Sequence, residues 1–221
     1  MSLLRRALAG ALVLLSLPAS AQNPGEGRGA PAGRFDFYVL ALSWSPGFCE
    51  ASGDVKGRRQ CGSGAGLGFV VHGLWPQFER GYPAFCEPAA RSPSRPALEH
   101  ARGVFPEEGL ARYQWRKHGS CTGQSPAEYF QAARRARDLV RIPERLDKPV
   151  VDTRVFAQEI ERAFIQVNPG LRPDMIAVEC GRRIFQEVRI CLDRDLRGFR
   201  SCPEVDRAGC RSNAIAVPAI R

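Results

Sequence analysis

The sequence has few of the residues that build metal sites. Only three histidines occur among its 221 residues, and the eight cysteines include no Cys-x-x-Cys pair. Structural zinc sites use four cysteine or histidine ligands, typically with closely spaced cysteines. A zinc-binding module is therefore a weak alternative for this chain, and we expect no metal or other cofactor.

The sequence also lacks a hydrophobic run long enough to cross a membrane. The apolar stretch 7–17 has eleven residues, whereas a spanning helix needs roughly 20. It follows Arg5 and Arg6 and precedes a small-residue triplet that ends at Ala21, which is the pattern of a secretory signal peptide. We predict a signal peptide over 1–21 and a periplasmic or secreted product, with a membrane anchor as the less favoured alternative.

Internal repeats and a regular alternation of strands and helices are missing as well. Strands are predicted at 35–42, 67–72, 175–180 and 182–193. Helices are predicted at 109–119, 125–142 and 153–167. The second strand is expected to end in a turn at Gly73, and the last two strands to form an antiparallel pair. This mixture predicts one α+β domain over 34–221, with a mostly antiparallel central sheet and flanking helices, after a flexible segment over 22–33.

The cysteines all follow the predicted signal peptide, at positions 49, 61, 86, 121, 180, 191, 202 and 210. An even number of cysteines in an exported chain predicts four disulfides, although the residues alone do not select their pairing.

The formal charge is +9 and falls to +7 without the signal peptide. A basic chain suits a polyanionic partner, but the charge fits a merely soluble cationic protein equally well.

Two short stretches concentrate the reactive side chains. They run from Phe69 to Pro76 and from Tyr113 to Cys121, and they hold two of the three histidines, two of the three tryptophans and a lysine next to a histidine. His72 lies at the predicted end of a strand. Gln114 and His118 are four residues apart in the predicted helix, so they share a face roughly 5 to 6 Å apart.

Two histidines and a lysine can cleave RNA without a metal ion. One group must take the proton of the 2′-hydroxyl, a second must protonate the leaving 5′-oxygen, and a cation must balance the charge that builds on phosphorus. Imidazole titrates near pH 6.5, so one ring can be neutral while the other is charged. A histidine after an apolar strand is more often structural, so the residues alone leave this chemistry as a hypothesis.

The stretches His-Gly-Leu-Trp-Pro at 72–76 and Trp-x-Lys-His-Gly-x-Cys at 115–121 resemble the two active-site segments of the ribonuclease T2 family. The stretch from Phe35 to Cys49 is similar to that family's first strand. The resemblance implies a ribonuclease T2-like fold and an endoribonuclease that cuts single-stranded RNA. DNA would stay uncut because it lacks the attacking hydroxyl. We further expect no membrane partner, and a monomer.

The resemblance also implies roles for individual residues. His118 would activate the 2′-hydroxyl, His72 would protonate the 5′-oxygen, and Lys117 would stabilise the phosphorane. The product would be a 2′,3′-cyclic phosphate, which a second, slower step hydrolyses to a 3′-phosphate.

The sequence departs from the family at Tyr113 and Gln114, where the family usually carries His-Glu. Neither replacement is charged near neutral pH, but both can hydrogen-bond a phosphate. We therefore place Gln114 in the catalytic group and Tyr113 in the substrate-binding group, and predict a working but slower enzyme with a shifted pH optimum. Trp75 is predicted to stack on a base, with a core position as the equal alternative, and Gln77 to influence base preference. Trp115, in contrast, is expected in the core.

The family pattern implies the disulfides Cys49–Cys61, Cys86–Cys121, Cys180–Cys210 and Cys191–Cys202. The second of these would tie the active-site helix to the loop after the first motif.

Two other functions stay open at this point. An inactive RNA-binding or regulatory member would explain the changes at Tyr113 and Gln114, and a cationic disulfide module acting on membranes or other proteins would explain the charge but not the motifs.

Overall fold

The computed structural model describes residues 25–51, 59–62, 64–86, 92–211 and 214–220. The predicted signal peptide lies outside these residues. The strands are β1 (Glu26–Arg28), β2 (Phe37–Trp44), β3 (Phe69–Gln77), β4 (Tyr82–Ala84), β5 (Thr153–Val155), β6 (Ile176–Gly181), β7 (Ile184–Leu192) and β8 (Ile215–Val217). The helices are α1 (Ser45–Ala51), α2 (Arg95–Glu99), α3 (Glu108–Lys117), α4 (Pro126–Leu139), α5 (Glu144–Asp147), α6 (Ala157–Val167) and α7 (Pro203–Ala208).

The main sheet has the strand order β3-β2-β7-β8-β5, and β6 also pairs with β7. The pairs β2–β3, β2–β7, β6–β7 and β5–β8 are antiparallel, while β7 and β8 meet in parallel at Ile184 and Ala216. The predicted α+β class with a mostly antiparallel sheet is confirmed. The predicted antiparallel pair around Gly181 is confirmed as the β6–β7 hairpin.

Strand β2 is buried along its whole length because both of its faces are covered. Side chains alternate between the faces of a strand. Tyr38 and Leu40 therefore enter the main core, whereas Phe37 and Val39 enter a second, smaller cluster with residues of β6, β7 and α7. Trp75 of β3 packs against this second cluster, so the smaller cluster forms the floor beneath the first motif.

Helix α4 begins where the sequence predicts. The Ser125 hydroxyl accepts from the Glu128 backbone N–H, and the Glu128 carboxylate accepts from the Ser125 backbone N–H at 2.8 Å, which is a complete capping box. The apolar face of α4 is buried in the main core. Its Tyr129 hydroxyl donates to the Leu74 carbonyl at 3.1 Å, so the helix supports the strand that carries the first motif.

Two of the predicted boundaries are wrong. Strand β3 does not end in a turn at Gly73 but continues to Gln77, because it stays paired with β2. The helix predicted from Thr153 begins at Ala157, because Thr153–Val155 pair with β8 as a strand. The backbone N–H of Phe156 then donates to the Glu159 carboxylate at 2.8 Å and fixes the start of α6.

The segment predicted to be flexible over 22–33 is structured in the part that the structure describes. Residues 26–28 form β1, which pairs in parallel with β4. Gly25 and Gly29 flank the strand with φ of 85° and 74°, a left-handed conformation that glycine adopts without steric cost. Their backbone groups bond to Tyr82 and Ala84 at 2.9 Å. The glycines of this segment therefore mark turns at the two ends of a short strand, and they do not make the segment flexible.

All four disulfides have the pairing that the resemblance implies. Because all eight cysteines are oxidised, no thiolate is left for the alternative zinc site. Cys86–Cys121 joins the segment after β4 to the turn after α3. Within the described ranges, no helix is both long and apolar enough to cross a bilayer.

Candidate active site

A β-bulge places His72. Ala41 of β2 pairs with Gly73, but the next residue, Leu42, pairs with Val71, so His72 is the additional residue on β3. A bulge bends the strand and turns the extra side chain in a new direction. His72 is thereby aimed into a cavity, where 39% of its side chain is exposed.

The His72 ring is held from behind by strand β7. Its Nδ1 lies 2.6 Å from Oε2 of Glu187, whose side chain is only 8% exposed. The other carboxylate oxygen of Glu187 accepts from Nε of Arg189 at 2.9 Å. Arg189 also forms an ion pair with Glu179 at 2.9 Å. We call this arrangement the Glu179–Arg189–Glu187 chain.

The two carboxyl groups of this chain have opposite pKa shifts. Burial alone would raise the pKa of Glu187, but the hydrogen bonds and positive charges of His72 and Arg189 outweigh it and lower the pKa. Burial raises the pKa of Glu179, as does the charge of Glu187, while Arg189 opposes both. Glu187 is therefore ionised at neutral pH and acts only as an acceptor.

Helix α3 supplies the second motif. Gln114 is 1% exposed, His118 is 5% exposed at the C-cap, and Lys117 lies between them in sequence at the last helical position. Burial lowers the pKa of His118 well below 6.5, and the charges of Lys117 and His72 lower it further. Nδ1 of His118 has no hydrogen-bond partner among the described residues. The His118 ring is therefore neutral at neutral pH.

Trp75 connects the two motifs. Its ring centre lies 5.3 Å from the His72 ring in an edge contact and 5.3 Å from the His118 ring in a stacked one. Its Nε1–H donates to Oε1 of Gln114 at 2.8 Å. An indole N–H can only donate, so this contact fixes the amide orientation and leaves the Gln114 NH₂ as a donor. Gly73 allows this approach, because a Cβ there would overlap both Trp75 Nε1 and Gln114 Oε1.

The two motifs share one cavity of about 440 Å³. The sequence-predicted residues His72, Trp75, Gln77, Tyr113, Gln114, Lys117 and His118 all line it. Trp75 lies at the wall of the cavity and Gln77 at the buried end of β3, whereas Trp115 is in the main core as predicted. Tyr113 is 40% exposed, beneath the Arg116 guanidinium.

Several residues of the site were missed by the sequence analysis. Tyr82 and Glu204 line the same cavity, and Lys117 Nζ lies 5.7 Å from the centre of the Tyr82 ring. Glu187 and Arg189 contact the site from β7. The available signal was a pair of opposite charges two residues apart in a mostly apolar strand, and this spacing places both on one face. Nothing comparable marks Tyr82 or Glu204.

A larger hollow of about 580 Å³ lies between α2 and the start of α3. Among the described residues, its lining includes Arg95, Arg102 and Glu108 but no histidine. The described lining therefore lacks the paired imidazoles of the first cavity. The two motifs that stand out in the sequence converge on the smaller cavity.

Fold and site together define a class of protein: a disulfide-linked α+β domain with two histidines and a lysine around one cavity. A sequence model described as the Ribonuclease T2 family matches residues 35–202. The chain belongs to that family.

The individual relatives agree with this assignment. A ribonuclease of Aeromonas hydrophila is 43% identical over 129 residues, which cover 58% of this chain and 55% of the relative. A probable ribonuclease of Haemophilus influenzae is 34% identical over 171 residues, which cover 72% of this chain and 58% of the relative. The chain thus spans little more than half the length of these two relatives. The SF11-RNase of Nicotiana alata has the same fold, with a TM-score of 0.62, 22% identity, and coverage of 85% of this chain and 100% of that one.

Proposed function

We propose that this protein is an exported endoribonuclease that cuts single-stranded RNA without a metal ion. One observation carries the proposal: two imidazoles with different surroundings contact the same indole, with a lysine in the same cavity. A neutral base and a charged acid in one site are what transphosphorylation requires.

His118 is the proposed general base. Its burial favours the neutral ring, which can accept the proton of the 2′-hydroxyl. The oxygen then attacks phosphorus and forms the 2′,3′-cyclic phosphate. Lys117 stabilises the negative charge on the non-bridging oxygens as the phosphorane forms.

His72 is the proposed general acid. The His72 ring is nearly perpendicular to the Trp75 ring, at 82°, whereas the His118 ring is stacked against it, at 28°. Its proton goes to the 5′-oxygen as the bond between phosphorus and that oxygen breaks. Water then hydrolyses the cyclic phosphate to a 3′-phosphate in a slower step, with the two histidines exchanging roles.

Gln114 and Tyr113 are proposed phosphate ligands. The Gln114 oxygen is engaged by Trp75, so its NH₂ is the group that can donate to a phosphoryl oxygen. The hydroxyl of Tyr113 at the cavity rim can do the same. Trp75 and Gln77 are the proposed contacts to a base, with aromatic stacking worth roughly 1 to 3 kcal/mol.

The attacking group provides the first test. The protein, with EDTA present, is given a short single-stranded RNA and the same sequence carrying one 2′-deoxynucleotide. We expect cleavage at all susceptible linkages except the one after the deoxynucleotide, with cyclic phosphate ends appearing before 3′-phosphates. Cleavage after the deoxynucleotide, or 5′-phosphate ends, would exclude this mechanism.

An RNA-binding member with weak or no activity is the second candidate. It is favoured by Gln114, which cannot exchange a proton where the family usually has glutamate. This candidate predicts that the chain retains RNA without cutting it, and that binding weakens steeply as salt increases. A binding assay read in parallel with the cleavage assay separates the two functions.

Export is proposed from the signal-peptide pattern and the disulfides. Disulfides persist in oxidising compartments, and the structure has four of them. N-terminal sequencing of the protein recovered from the periplasm or medium of a bacterial host should begin at Gln22. Recovery of the intact N-terminus from the membrane fraction would support the anchor instead.

A further inference from the structure

We infer that Glu187 is a positioning residue for the proposed general acid His72, and that Arg189 holds its carboxylate in place. This inference rests on the role of His72 in the proposed function. Strand β7, which carries neither of the two sequence motifs, would then orient the proposed acid.

The geometry leaves the Glu187 carboxylate little freedom. One oxygen lies 2.6 Å from Nδ1 of His72 and the other accepts from Nε of Arg189 at 2.9 Å. Arg189 is itself fixed by its ion pair with Glu179, and its guanidinium lies 5.2 Å from the centre of the Trp75 ring. The carboxylate that His72 contacts is therefore held in place by residues of β6 and β7, through contacts that do not involve His72.

An ionised carboxylate determines which ring nitrogen of His72 carries which proton. A carboxylate can only accept, so Nδ1 of His72 must be the donor in the 2.6 Å contact. Nε2 is then the nitrogen that exchanges protons with substrate. The pKa of Glu187, lowered by His72 and Arg189 against the effect of burial, agrees with an acceptor that stays ionised through the reaction.

The bulge in β3 makes this support necessary. His72 has no paired residue opposite it on β2, and its side chain is the more exposed of the two imidazoles. Without Glu187 the ring could rotate about its side-chain bonds. During the step, the Nε2–H bond breaks as the 5′-oxygen gains the proton, while the Nδ1–H donor and Glu187 keep the ring plane constant. The same carboxylate stabilises the charged ring before the transfer.

The leaving group of the substrate separates this role from a general structural one. A dinucleoside phosphate needs protonation of its 5′-oxygen, whereas the 4-nitrophenyl ester of the same nucleoside 3′-phosphate releases a stable phenolate without it. Both substrates use the same attacking hydroxyl and the same base. A residue that acts through the general acid therefore affects the first substrate much more than the second.

The test compares Glu187→Gln with the parent protein on both substrates. We expect kcat for the dinucleoside phosphate to fall about 10- to 100-fold, less than the about 10²- to 10⁴-fold that loss of a general acid causes, because His72 remains. KM should change less than about twofold, and the nitrophenyl ester should lose less than about threefold in kcat, since its chemistry needs no acid. Equal losses on both substrates, or no loss on either, would overturn the inference.

Glu161→Gln is the matched control, because it also replaces a partly buried carboxylate that accepts a hydrogen bond from the sheet, at the Val178 backbone N–H, and it does not line the cavity. We expect it to keep kcat on both substrates within about threefold. Glu187→Asp is the second variant if Glu187→Gln folds poorly. It keeps a charge for Arg189 but draws the carboxylate back from His72, so the same selective loss on the dinucleoside phosphate is expected.

His72→Ala distinguishes failure of the inference from failure of the proposed function. If His72→Ala shows selective loss on the dinucleoside phosphate and Glu187→Gln does not, only the role of Glu187 is wrong. If His72→Ala itself lacks that selectivity, His72 is not the general acid and the proposed mechanism fails with it.

Discussion

Two histidines of the same intrinsic acidity have different surroundings in this site. His118 is buried at a helix terminus near a lysine, and its pKa lies well below 6.5. His72 is more exposed and contacts an ionised carboxylate. Burial and the nearby positive charges thus favour the neutral ring at His118, the proposed base, while the Glu187 carboxylate contacts His72, the proposed acid. The two histidines can be recognised in the sequence, but their different surroundings cannot. His72 contacts Glu187, which is 115 positions away in the chain.

The low pKa of His118 predicts the acid limb of the pH–rate profile. The limb of kcat/KM on the acid side reports protonation of the base in the free enzyme. Because burial and the positive charges of Lys117 and His72 disfavour the protonated ring, we expect this limb to lie below pH 6.5. Measuring kcat/KM on a dinucleoside phosphate from pH 4 to 8 checks it. A limb above pH 6.5 would show that His118 is not the base or is not buried as described.

Gln114 determines a second feature of the same profile. Gln114→Glu keeps an acceptor for Trp75 Nε1–H but introduces a buried carboxylate near His118 and Lys117. A negative charge favours the protonated imidazole, so the acid limb should move to higher pH. We expect the rate at the optimum to rise by up to about tenfold, which corresponds to about 1.4 kcal/mol in the activation free energy.

The control for this variant is Gln131→Glu, which places the same change on the exposed face of α4. It should leave rate and profile unchanged. If Gln114→Glu also changes neither, Gln114 has no part in the catalytic group.

At the scale of elements, the site depends on a close approach between β3 and α3. Gly73 permits the Trp75–Gln114 hydrogen bond, because a Cβ at this position would overlap both of its atoms. The carbonyl of the next residue, Leu74, accepts a hydrogen bond from the Tyr129 hydroxyl of α4. The strand therefore cannot move away without losing a second contact.

Gly73→Ala should separate the two motifs. We expect a loss of roughly 1 to 3 kcal/mol in unfolding free energy from overpacking and a fall in kcat of at least about tenfold, since a small misplacement of catalytic groups is costly. Chemical denaturation and steady-state rates measure the two effects.

Gly109→Ala is the matched substitution, because Gly109 lies in α3 and a Cβ there meets nothing within 4 Å. It should stabilise the protein by about 0.4 to 1 kcal/mol and leave kcat unchanged. Equal behaviour of the two variants would contradict the role assigned to Gly73.

Elements with local signals were predictable, and those defined by distant partners were not. The Ser125 capping box and the helix that it begins are encoded within four residues, so α4 was predicted from sequence. Strand β3 continues past Gly73 because of β2, and Thr153–Val155 are extended because of β8. Neither pairing can be recognised from the local sequence, and the bulge that places His72 is a property of the pair of strands.

At the scale of the whole molecule, disulfides join the parts that form the site. Cys86–Cys121 closes a separation of 35 residues and connects β4 to the end of α3. Cys191–Cys202 closes a separation of 11 residues and connects β7 to α7. Their pairing followed from the resemblance to the family and not from the cysteine positions themselves. The family resemblance likewise covered the two histidines proposed as acid and base but not the supporting residues of β7.

Removing these two disulfides separately should have unequal effects. Loss of a native disulfide typically costs about 2 to 5 kcal/mol, and the entropic part grows with loop length. We expect the Cys86→Ala/Cys121→Ala variant to be less stable than Cys191→Ala/Cys202→Ala by about 1 kcal/mol, the difference that the two loop lengths give. Denaturation of both double variants measures this, and the reverse order would show that loop closure does not dominate.

The proposed activity depends on proton transfer between two imidazoles and an RNA strand. The most direct test is single-turnover cleavage of single-stranded RNA, with EDTA present, by the parent protein and by the His72→Ala/His118→Ala variant. We predict that EDTA leaves the parent rate unchanged and that the double variant is slower by at least about 10⁴-fold, while its circular dichroism spectrum matches the parent. Equal rates for the two proteins, or loss of parent activity in EDTA, would contradict the account.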